Sequence, residues 1–216
     1  MIVNGFYRKP GELDSHDVEF LCYGVPRSGS TLIYQIVSSL YQEGVAKVHR
    51  YSDLPVKTVA SYRDFRDVVV SRWRVGDPQN RFRKMTGSEV EMFANRILGQ
   101  VKELDRYAER PDVCLLRYEE FFRKPELIFS ALQSRFGIVV PPAQQNRLIK
   151  KFSLAANRRI AERLKTFQDV DPKTEIHGQH IYRGEVGGWR EFVDDQGAGR
   201  LQQLFKPALV RYGYAA

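Results

Sequence analysis

The most constraining feature of this sequence is the segment from Gly24 to Thr31, GVPRSGST, which we call the phosphate loop. Its glycines have the Gly-x-x-x-x-Gly spacing of loops that wrap a phosphate group. An apolar run precedes it, and apolar residues recur at helical spacing from Leu32 to Tyr41 after it. This order of strand, tight loop and helix lets backbone N–H groups and the positive end of a helix dipole converge on one anion.

The side chains of the loop argue against ordinary ATP binding. Ser30 stands where ATP-binding loops of this spacing carry lysine. Arg27 adds a positive charge, and the hydroxyl groups of Ser30 and Thr31 add hydrogen-bond donors. An ordinary polar turn between a strand and a helix is the alternative, but so much arginine and hydroxyl character in one short turn favours an anion site.

The charge balance indicates an anionic partner. The chain has 34 Lys and Arg against 26 Asp and Glu in 216 residues, which suits a nucleotide, a nucleic acid, a polyanionic glycan or a membrane surface. Its length predicts a single domain over residues 1–216. Residues 1–17 contain no apolar signal core and no run reaches membrane-spanning length, so we expect a cytoplasmic protein without a transmembrane segment. Cys22 and Cys114 lie in apolar runs and are expected to be reduced thiols.

Apolar runs alternate with amphipathic segments, which predicts an α/β fold with a central parallel sheet and helices on both faces. Strands are expected at Glu19 to Val25, Val45 to Val48, Val56 to Tyr62 and Asp112 to Arg117. Helices are expected at Ser88 to Tyr107, with Ser88 as cap, and at Pro125 to Phe136, Ala143 to Leu164 and Gly197 to Tyr212. Two polar stretches, Gly76 to Gly87 and Thr166 to Gly188, are long enough to be functional loops. Ligands of such sheets gather at the carboxyl ends of the strands.

A second candidate anion site follows the third predicted strand. Arg63 stands at the strand end, and Ser71 follows eight residues later. If Asp64 or a neighbour begins a helix, Ser71 lies two turns into it, so that both side chains reach one phosphate group. Arginine offers a rigid fork of donors that suits phosphate. A simple ion pair between Arg63 and Asp67 at a helix start is the alternative.

A candidate general base follows the second predicted strand. Alternation along the strand directs Lys47 and His49 to the same side of the sheet. A histidine with a pKa near neutrality accepts a proton readily from a hydroxyl or amine. Since most lone histidines are structural, a purely structural role is the alternative.

Together these clusters resemble the sulfotransferase family, whose donor is 3′-phosphoadenosine 5′-phosphosulfate. The resemblance implies a P-loop nucleoside-triphosphatase-like fold and covers most of the chain. The segments that carry it are Pro26 to Leu32, Lys47 to His49, Tyr62 to Ser71, Leu116 to Glu120 with Pro125 and Glu126, and Arg183 to Arg190.

The resemblance implies in-line transfer of a sulfuryl group to a hydroxyl or amine on a small-molecule, glycan or lipid acceptor, with adenosine 3′,5′-bisphosphate as the second product. His49 would take the proton of the acceptor, Lys47 would stabilise the transferring oxygens, and Arg27 would neutralise the departing 5′-phosphate. The predicted donor-binding residues are Arg27, Ser28, Gly29, Ser30, Thr31 and Leu32 at the 5′-phosphate, and Arg63, Ser71, Arg183 and Gly184 at the 3′-phosphate. The mechanism implied needs no metal, and His177 with His180 lacks the carboxylate or cysteine partners of a metal site.

The chain departs from the family pattern at two positions and in the short link of residues 50–55 between His49 and the next strand. Leu32 stands where cytosolic members carry a tryptophan that packs on adenine, and Tyr182 stands where an arginine is usual. Glu43 is a second candidate for the base, because some relatives use a glutamate. On the acceptor side, basic residues either grip an acidic acceptor or form a solvated face: Arg72, Arg74, Arg81, Arg83 and Lys84.

Two rival functions remain at this stage. A kinase-like phosphotransferase on the same scaffold would need a lysine in place of Ser30 and acidic ligands for magnesium. A non-catalytic binder of nucleotides or nucleic acid would explain the net charge, but the chain has no stacked-aromatic or RNA-binding signature, so no nucleic-acid partner is expected.

Overall fold

The computed structural model describes residues 2–3, 6–7, 18–41, 43–178, 181 and 184–215. A six-stranded sheet forms its centre, with the order β2-β1-β4-β3-β5-β6. The strands are β1 (Ile2–Val3), β2 (Phe6–Tyr7), β3 (Phe20–Gly24), β4 (Val45–Val48), β5 (Lys57–Tyr62) and β6 (Val113–Arg117). Strands β4, β3, β5 and β6 run parallel, whereas β1 pairs antiparallel with both β4 and β2. The predicted parallel sheet is confirmed, and each predicted strand agrees within one residue at either end.

The helices are α1 (Ser30–Leu40), α2 (Phe65–Gly76), α3 (Gly87–Ala108), α4 (Tyr118–Phe121), α5 (Glu126–Phe136), α6 (Pro142–Lys151), α7 (Leu154–Arg163) and α8 (Asp195–Arg211). Short 3-10 turns cover Pro78–Arg81 and Gly188–Phe192. A small hairpin, β7 (Val170–Asp171) and β8 (Ile176–His177), occupies part of the second polar stretch. Among the described residues, no helix combines the length and apolar character needed to cross a membrane.

Alternation along the central strands builds a core on each face of the sheet, because neighbouring side chains point to opposite faces. Leu21 and Tyr23 pack with residues of α2, α3 and α8 on one face. Phe20 and Cys22 pack with residues of α1, α5 and α6 on the other. The thiols of Cys22 and Cys114 are both free.

Two helix predictions need correction. The cap of α3 is Thr86 and not Ser88: its hydroxyl accepts from the Glu89 amide, while the Glu89 carboxylate accepts from the Thr86 amide. The single helix expected from Ala143 to Leu164 is two helices, because the chain leaves helical geometry at Phe152 and Ser153 caps a new one by accepting from the Ala156 amide.

Candidate active site

The phosphate loop connects β3 to α1, and its two glycines are required by space. A Cβ atom on Gly24 would lie 2.4 Å from the Ser30 Cβ. Gly29 has φ of +79°, and a Cβ there would lie 2.9 Å from the Phe121 Cζ. The two glycines whose spacing identifies the loop therefore lie at points of close packing, Gly24 against α1 and Gly29 against α4.

The first turn of α1 offers its backbone N–H groups to a ligand. The helix has no side-chain cap and no acidic residue in this turn, so nothing in it competes with an anion. Ser28 differs from its neighbours: its amide donates to the Val25 carbonyl at 3.1 Å and its hydroxyl to the Ser61 carbonyl at 3.0 Å. Ser28 therefore fastens the loop to β5, and its part in donor binding stays a prediction.

Arg27 connects the loop to α2. Its Nε donates to the Ser71 Oγ at 3.0 Å, so the two predicted phosphate sites meet at this bond. Desolvation, followed by the positive charges of Arg63 and Arg72, lowers the pKa of Arg27 below its ordinary value. A bound anion would relieve the repulsion among these guanidinium groups.

Arg63 lies at the carboxyl end of β5 and is 7% exposed. Its guanidinium pairs with the Asp67 carboxylate at 3.2 Å, donates to the Glu185 carbonyl and lies 4.6 Å from the centre of the Tyr118 ring. The ion pair with Asp67, which the sequence offered as an alternative to a phosphate site, is present. Arg63 nevertheless lines the cavity that joins the two predicted phosphate sites. Its Nε has no hydrogen-bond partner within the described chain.

Asp67 holds the segment of residues 184–189, which we call the closing segment, against α2. One carboxylate oxygen accepts from the Gly187 amide at 2.8 Å and the other from the Trp189 amide at 3.0 Å. The Tyr118 hydroxyl adds a bond to the Gly184 carbonyl at 2.9 Å. Sequence reasoning treated Asp67 only as a partner for Arg63. Arg183, predicted to hold the 3′-phosphate, lies outside the described residues.

One cavity of about 290 Å³ joins both predicted phosphate sites. Its polar side includes Arg27, Gly29, Thr31, Arg63, Asp67, Ser71, Tyr118 and Gly184. Its apolar side includes Leu32, Ile36, Phe122, Ile149, Phe152, Leu154 and Ile176. Cationic groups that suit phosphate and apolar groups that suit a planar ring therefore line the same cavity.

His49 follows β4 directly and is exposed, with its Nδ1 2.8 Å from the Gly24 carbonyl oxygen. A carbonyl oxygen can only accept, so Nδ1 carries the proton and Nε2 is left as the acceptor. Desolvation and then the Lys47 charge lower the pKa of His49, which keeps the imidazole neutral at pH 7. Glu43 precedes β4 and therefore lies at the amino end of this strand, whereas His49 lies at its carboxyl end.

Lys47 is 7% exposed and donates from Nζ to the Thr31 Oγ1 at 2.8 Å. Burial lowers the pKa of Lys47 to about 8, although the negative charge of Glu175 opposes the shift. Lys47 and His49 therefore contact the two ends of the phosphate loop, Thr31 and Gly24, as expected for side chains on one side of a strand.

A profile of the sulfotransferase domain matches residues 49–213, which is most of the chain. The chain belongs to the sulfotransferase family. As a sulfotransferase it is an enzyme that transfers a sulfuryl group. The matched range begins after the phosphate loop. The interpretation of this loop as a phosphate site therefore depends on its own geometry and on the fold.

Solved sulfotransferase structures share the fold. Mouse sulfotransferase SULT7A1 in complex with PAP has a TM-score of 0.65 and 12% identity, over 89% of this chain and 84% of that chain. Retinol dehydratase with androsterone and inactive cofactor PAP has a TM-score of 0.64 and 18% identity, over 91% and 81%. Retinol dehydratase with retinol and PAP gives 0.62 and 17%, over 91% and 82%. No curated protein matches this sulfotransferase significantly by sequence.

Two residues of this sulfotransferase site carry roles that sequence reasoning did not assign. Tyr118 packs under Arg63 and bonds the closing segment, and Asp67 anchors that segment through two amides. The only sequence signals were the i,i+4 spacing of Arg63 and Asp67 and the place of Tyr118 in a family segment. Within the described ranges, no group of His, Cys, Asp and Glu could hold a metal ion; His180 lies outside those ranges.

Proposed function

We propose that this sulfotransferase takes its sulfuryl group from 3′-phosphoadenosine 5′-phosphosulfate and passes it to a hydroxyl or amine, with His49 as the general base. The observation that carries the proposal is a single cavity lined by both Arg27, which is half-buried, and Arg63, which is buried, two cations that follow different strands. A ligand with two separated phosphate groups matches this arrangement better than a ligand with one.

The donor side follows from the contacts. The N–H groups that open α1, with Arg27, Ser30 and Thr31, would hold the 5′-phosphate end. Arg63, Ser71 and Gly184, together with Arg183, would hold the 3′-phosphate. Hydrogen bonds to charged groups contribute about 1.5–3 kcal/mol each, so several at the 3′-phosphate would select against nucleotides that lack it. Leu32 and Phe122 offer apolar surface for the adenine ring, in place of the tryptophan that packs on adenine in cytosolic family members.

The chemical roles follow from two side chains. The bound donor supplies an activated sulfuryl group. The Nε2 of His49 would accept the proton of the acceptor, while Nδ1–H stays on the Gly24 carbonyl and fixes the ring. The Lys47 ammonium, held at the Thr31 hydroxyl, would offset negative charge that develops on the transferring oxygens.

The acceptor is proposed to be a small molecule, and a glycan or lipid remains an alternative. Retinol dehydratase, which shares the fold, was solved with androsterone and with retinol. Two of the basic residues suggested for an acidic acceptor have contacts within the chain: Arg83 pairs with Glu89 at 2.6 Å, and Arg74 lies 4.5 Å from the Phe192 ring centre. Arg72 is exposed and remains the best cation for an acidic acceptor group.

Ligand-dependent stability tests the donor. At a concentration one hundred times its dissociation constant, adenosine 3′,5′-bisphosphate should stabilise the protein by about 2.7 kcal/mol. Adenosine 5′-phosphate, and ATP with magnesium, should give much smaller shifts at the same concentration. Calorimetry with the three nucleotides measures this order. An equal response to all three nucleotides, or a preference for ATP, would overturn the proposed donor.

His49→Ala tests the base. Turnover should fall by roughly 10²- to 10⁴-fold, because a general base typically contributes that factor, while bisphosphate binding should persist. In the parent enzyme the acidic limb of kcat/KM should lie below the ordinary histidine pKa of about 6.5, since the pKa of His49 is lowered. Arg50→Ala, at the exposed neighbouring position, is the control. Full turnover in His49→Ala would exclude this role.

A further inference from the structure

Glu175 is a buried acid in a backbone conformation that glutamate rarely adopts. The residue is 2% exposed and has φ of +58°, in the left-handed region. It lies in the turn between β7 and β8. A charged side chain is costly to bury, and strained backbone persists only where the surrounding structure imposes it. Both features indicate that the position of this carboxylate matters.

The turn that carries Glu175 is fixed at both ends. Inside the turn, the Asp171 carboxylate accepts from the Thr174 amide at 2.8 Å and from the Thr174 hydroxyl at 2.7 Å. On the outside, the Thr174 carbonyl accepts from the Gln35 side chain of α1 at 2.7 Å. The backbone next to Glu175 is therefore held against α1.

Glu175 and Lys47 approach the same part of α1. Lys47 contacts Thr31, and the neighbour of Glu175 contacts Gln35, which is one helical turn further along. Among the described residues, the Oε2 of Glu175 has no hydrogen-bond partner. Burial raises the pKa of the Glu175 carboxyl group, and the charge of Lys47, the largest electrostatic influence on it, opposes that rise and favours the carboxylate.

We propose that Glu175 is a positioning residue for sulfuryl transfer: its buried carboxylate keeps the Lys47 ammonium charged and directed to Thr31 at the start of α1. This inference rests on the proposed function. Glu175 is too deeply buried to touch an acceptor, so it is not an alternative base. A neutral side chain of the same shape would fill the space without the cost of a charge, which argues for an electrostatic role.

The charges around Lys47 explain why a counter-charge is needed. Burial, reinforced by the charge of Arg27 in the phosphate loop, lowers the pKa of Lys47 to about 8. Glu175 on the hairpin and the Cys22 thiol on β3 oppose that shift. The Cys22 pKa lies far above its usual range because of burial, so the thiol stays neutral and Glu175 supplies the only negative charge among these groups. Lys47 also lowers the pKa values of His49 and His177.

Removing the negative charge of Glu175 should therefore lower the pKa of Lys47. A nearby opposite charge favours the charged form of a lysine, so Glu175→Gln should move the Lys47 midpoint down, by about one pH unit. Lysine-labelled NMR, with the Lys47 signal assigned by Lys47→Arg, measures the midpoint directly. The alkaline limb of kcat/KM, where Lys47 loses its proton, should move down by the same amount.

Two further variants sharpen the test. Glu175→Asp keeps the charge and should keep the Lys47 midpoint within about half a pH unit of the parent. In Lys47→Arg, whose guanidinium stays protonated, Glu175→Gln should no longer move the alkaline limb.

The outcomes separate the two proposals. If the parent enzyme fails to bind adenosine 3′,5′-bisphosphate, the proposed function fails whatever Glu175 does. If the parent binds and transfers, an unmoved Lys47 midpoint in Glu175→Gln overturns the role of Glu175, even where turnover falls equally at every pH. If Glu175→Gln does not fold, Glu175→Asp provides the test. A Lys47 midpoint in Glu175→Asp that lies well beyond about half a pH unit below the parent value would equally overturn the role.

Discussion

The two phosphate-facing parts of the cavity are built in different ways. The phosphate loop is eight consecutive residues whose shape depends on Gly24 and Gly29. The side proposed to bind the 3′-phosphate is assembled from the β5–α2 junction and the closing segment, which Asp67 joins across about 120 residues. A site made from one short stretch is visible in the sequence, whereas an assembled site depends on residues whose importance appears only in three dimensions. The two sides should therefore fail differently when altered.

The largest effect is expected at the local site, from Gly29→Ala. The variant places a side chain at φ of +79° and within 3.0 Å of Phe121 and Tyr118. Strain of about 1–2 kcal/mol and overpacking of about 1–3 kcal/mol predict a loss of stability of about 2–5 kcal/mol. Binding of adenosine 5′-phosphate and of the 3′,5′-bisphosphate should fall together, by calorimetry, since the 5′ end is common to both.

Gly99→Ala is the matched control for Gly29→Ala. Gly99 lies inside α3, and a Cβ there meets nothing within 4 Å. Its replacement should raise stability by up to about 1 kcal/mol through helix propensity and leave nucleotide binding unchanged. Normal binding in Gly29→Ala would mean that the loop does not define the 5′ site.

At the assembled site, Arg63→Ala should produce a selective loss. The loss of one charge-assisted bond worth about 1.5–3 kcal/mol corresponds to roughly 10- to 150-fold weaker binding of the 3′,5′-bisphosphate. Adenosine 5′-phosphate, which has nothing at this end, should lose much less. Arg96→Ala removes an exposed cation from α3 and controls for net charge. If both nucleotides weaken equally, Arg63 does not face the 3′-phosphate.

Asp67→Asn tests the anchor of the closing segment. One of the two carboxylate oxygens becomes an NH₂ group, so the Gly187 and Trp189 amides can no longer both be satisfied. A buried unsatisfied group costs about 1–3 kcal/mol, which chemical denaturation measures. Exposed Asp53→Asn should cost nothing detectable. Unchanged stability and unchanged protection of the Trp189 amide from hydrogen exchange would show that Asp67 is not the anchor.

The same distinction explains what the sequence could predict. Hydrophobic patterning placed the four central strands within one residue, and the glycine spacing placed the phosphate loop, because both signals are local. Three features were harder to predict, because they depend on side-chain hydrogen bonds for which neighbouring residues offer equally plausible alternatives. They are the cap at Thr86, the helix break at Ser153 and the hairpin that carries Glu175. Asp67 was underestimated for a related reason: its partners, the Gly187 and Trp189 amides, leave no mark in the sequence near it.

Two serines give the smallest and sharpest contrast between the two sites. Ser28 is fully buried and bonds to β5, whereas Ser71 is half-buried and accepts from Arg27 in the cavity. Ser28→Ala keeps the loop amide but loses a buried hydrogen bond, which should cost about 1 kcal/mol of stability with nucleotide binding intact. Ser71→Ala should do the reverse, with bisphosphate binding about fivefold weaker and stability unchanged. Parallel denaturation and calorimetry on both variants measure this contrast, and identical behaviour of the two variants would mean that the two sides of the cavity are not separate sites.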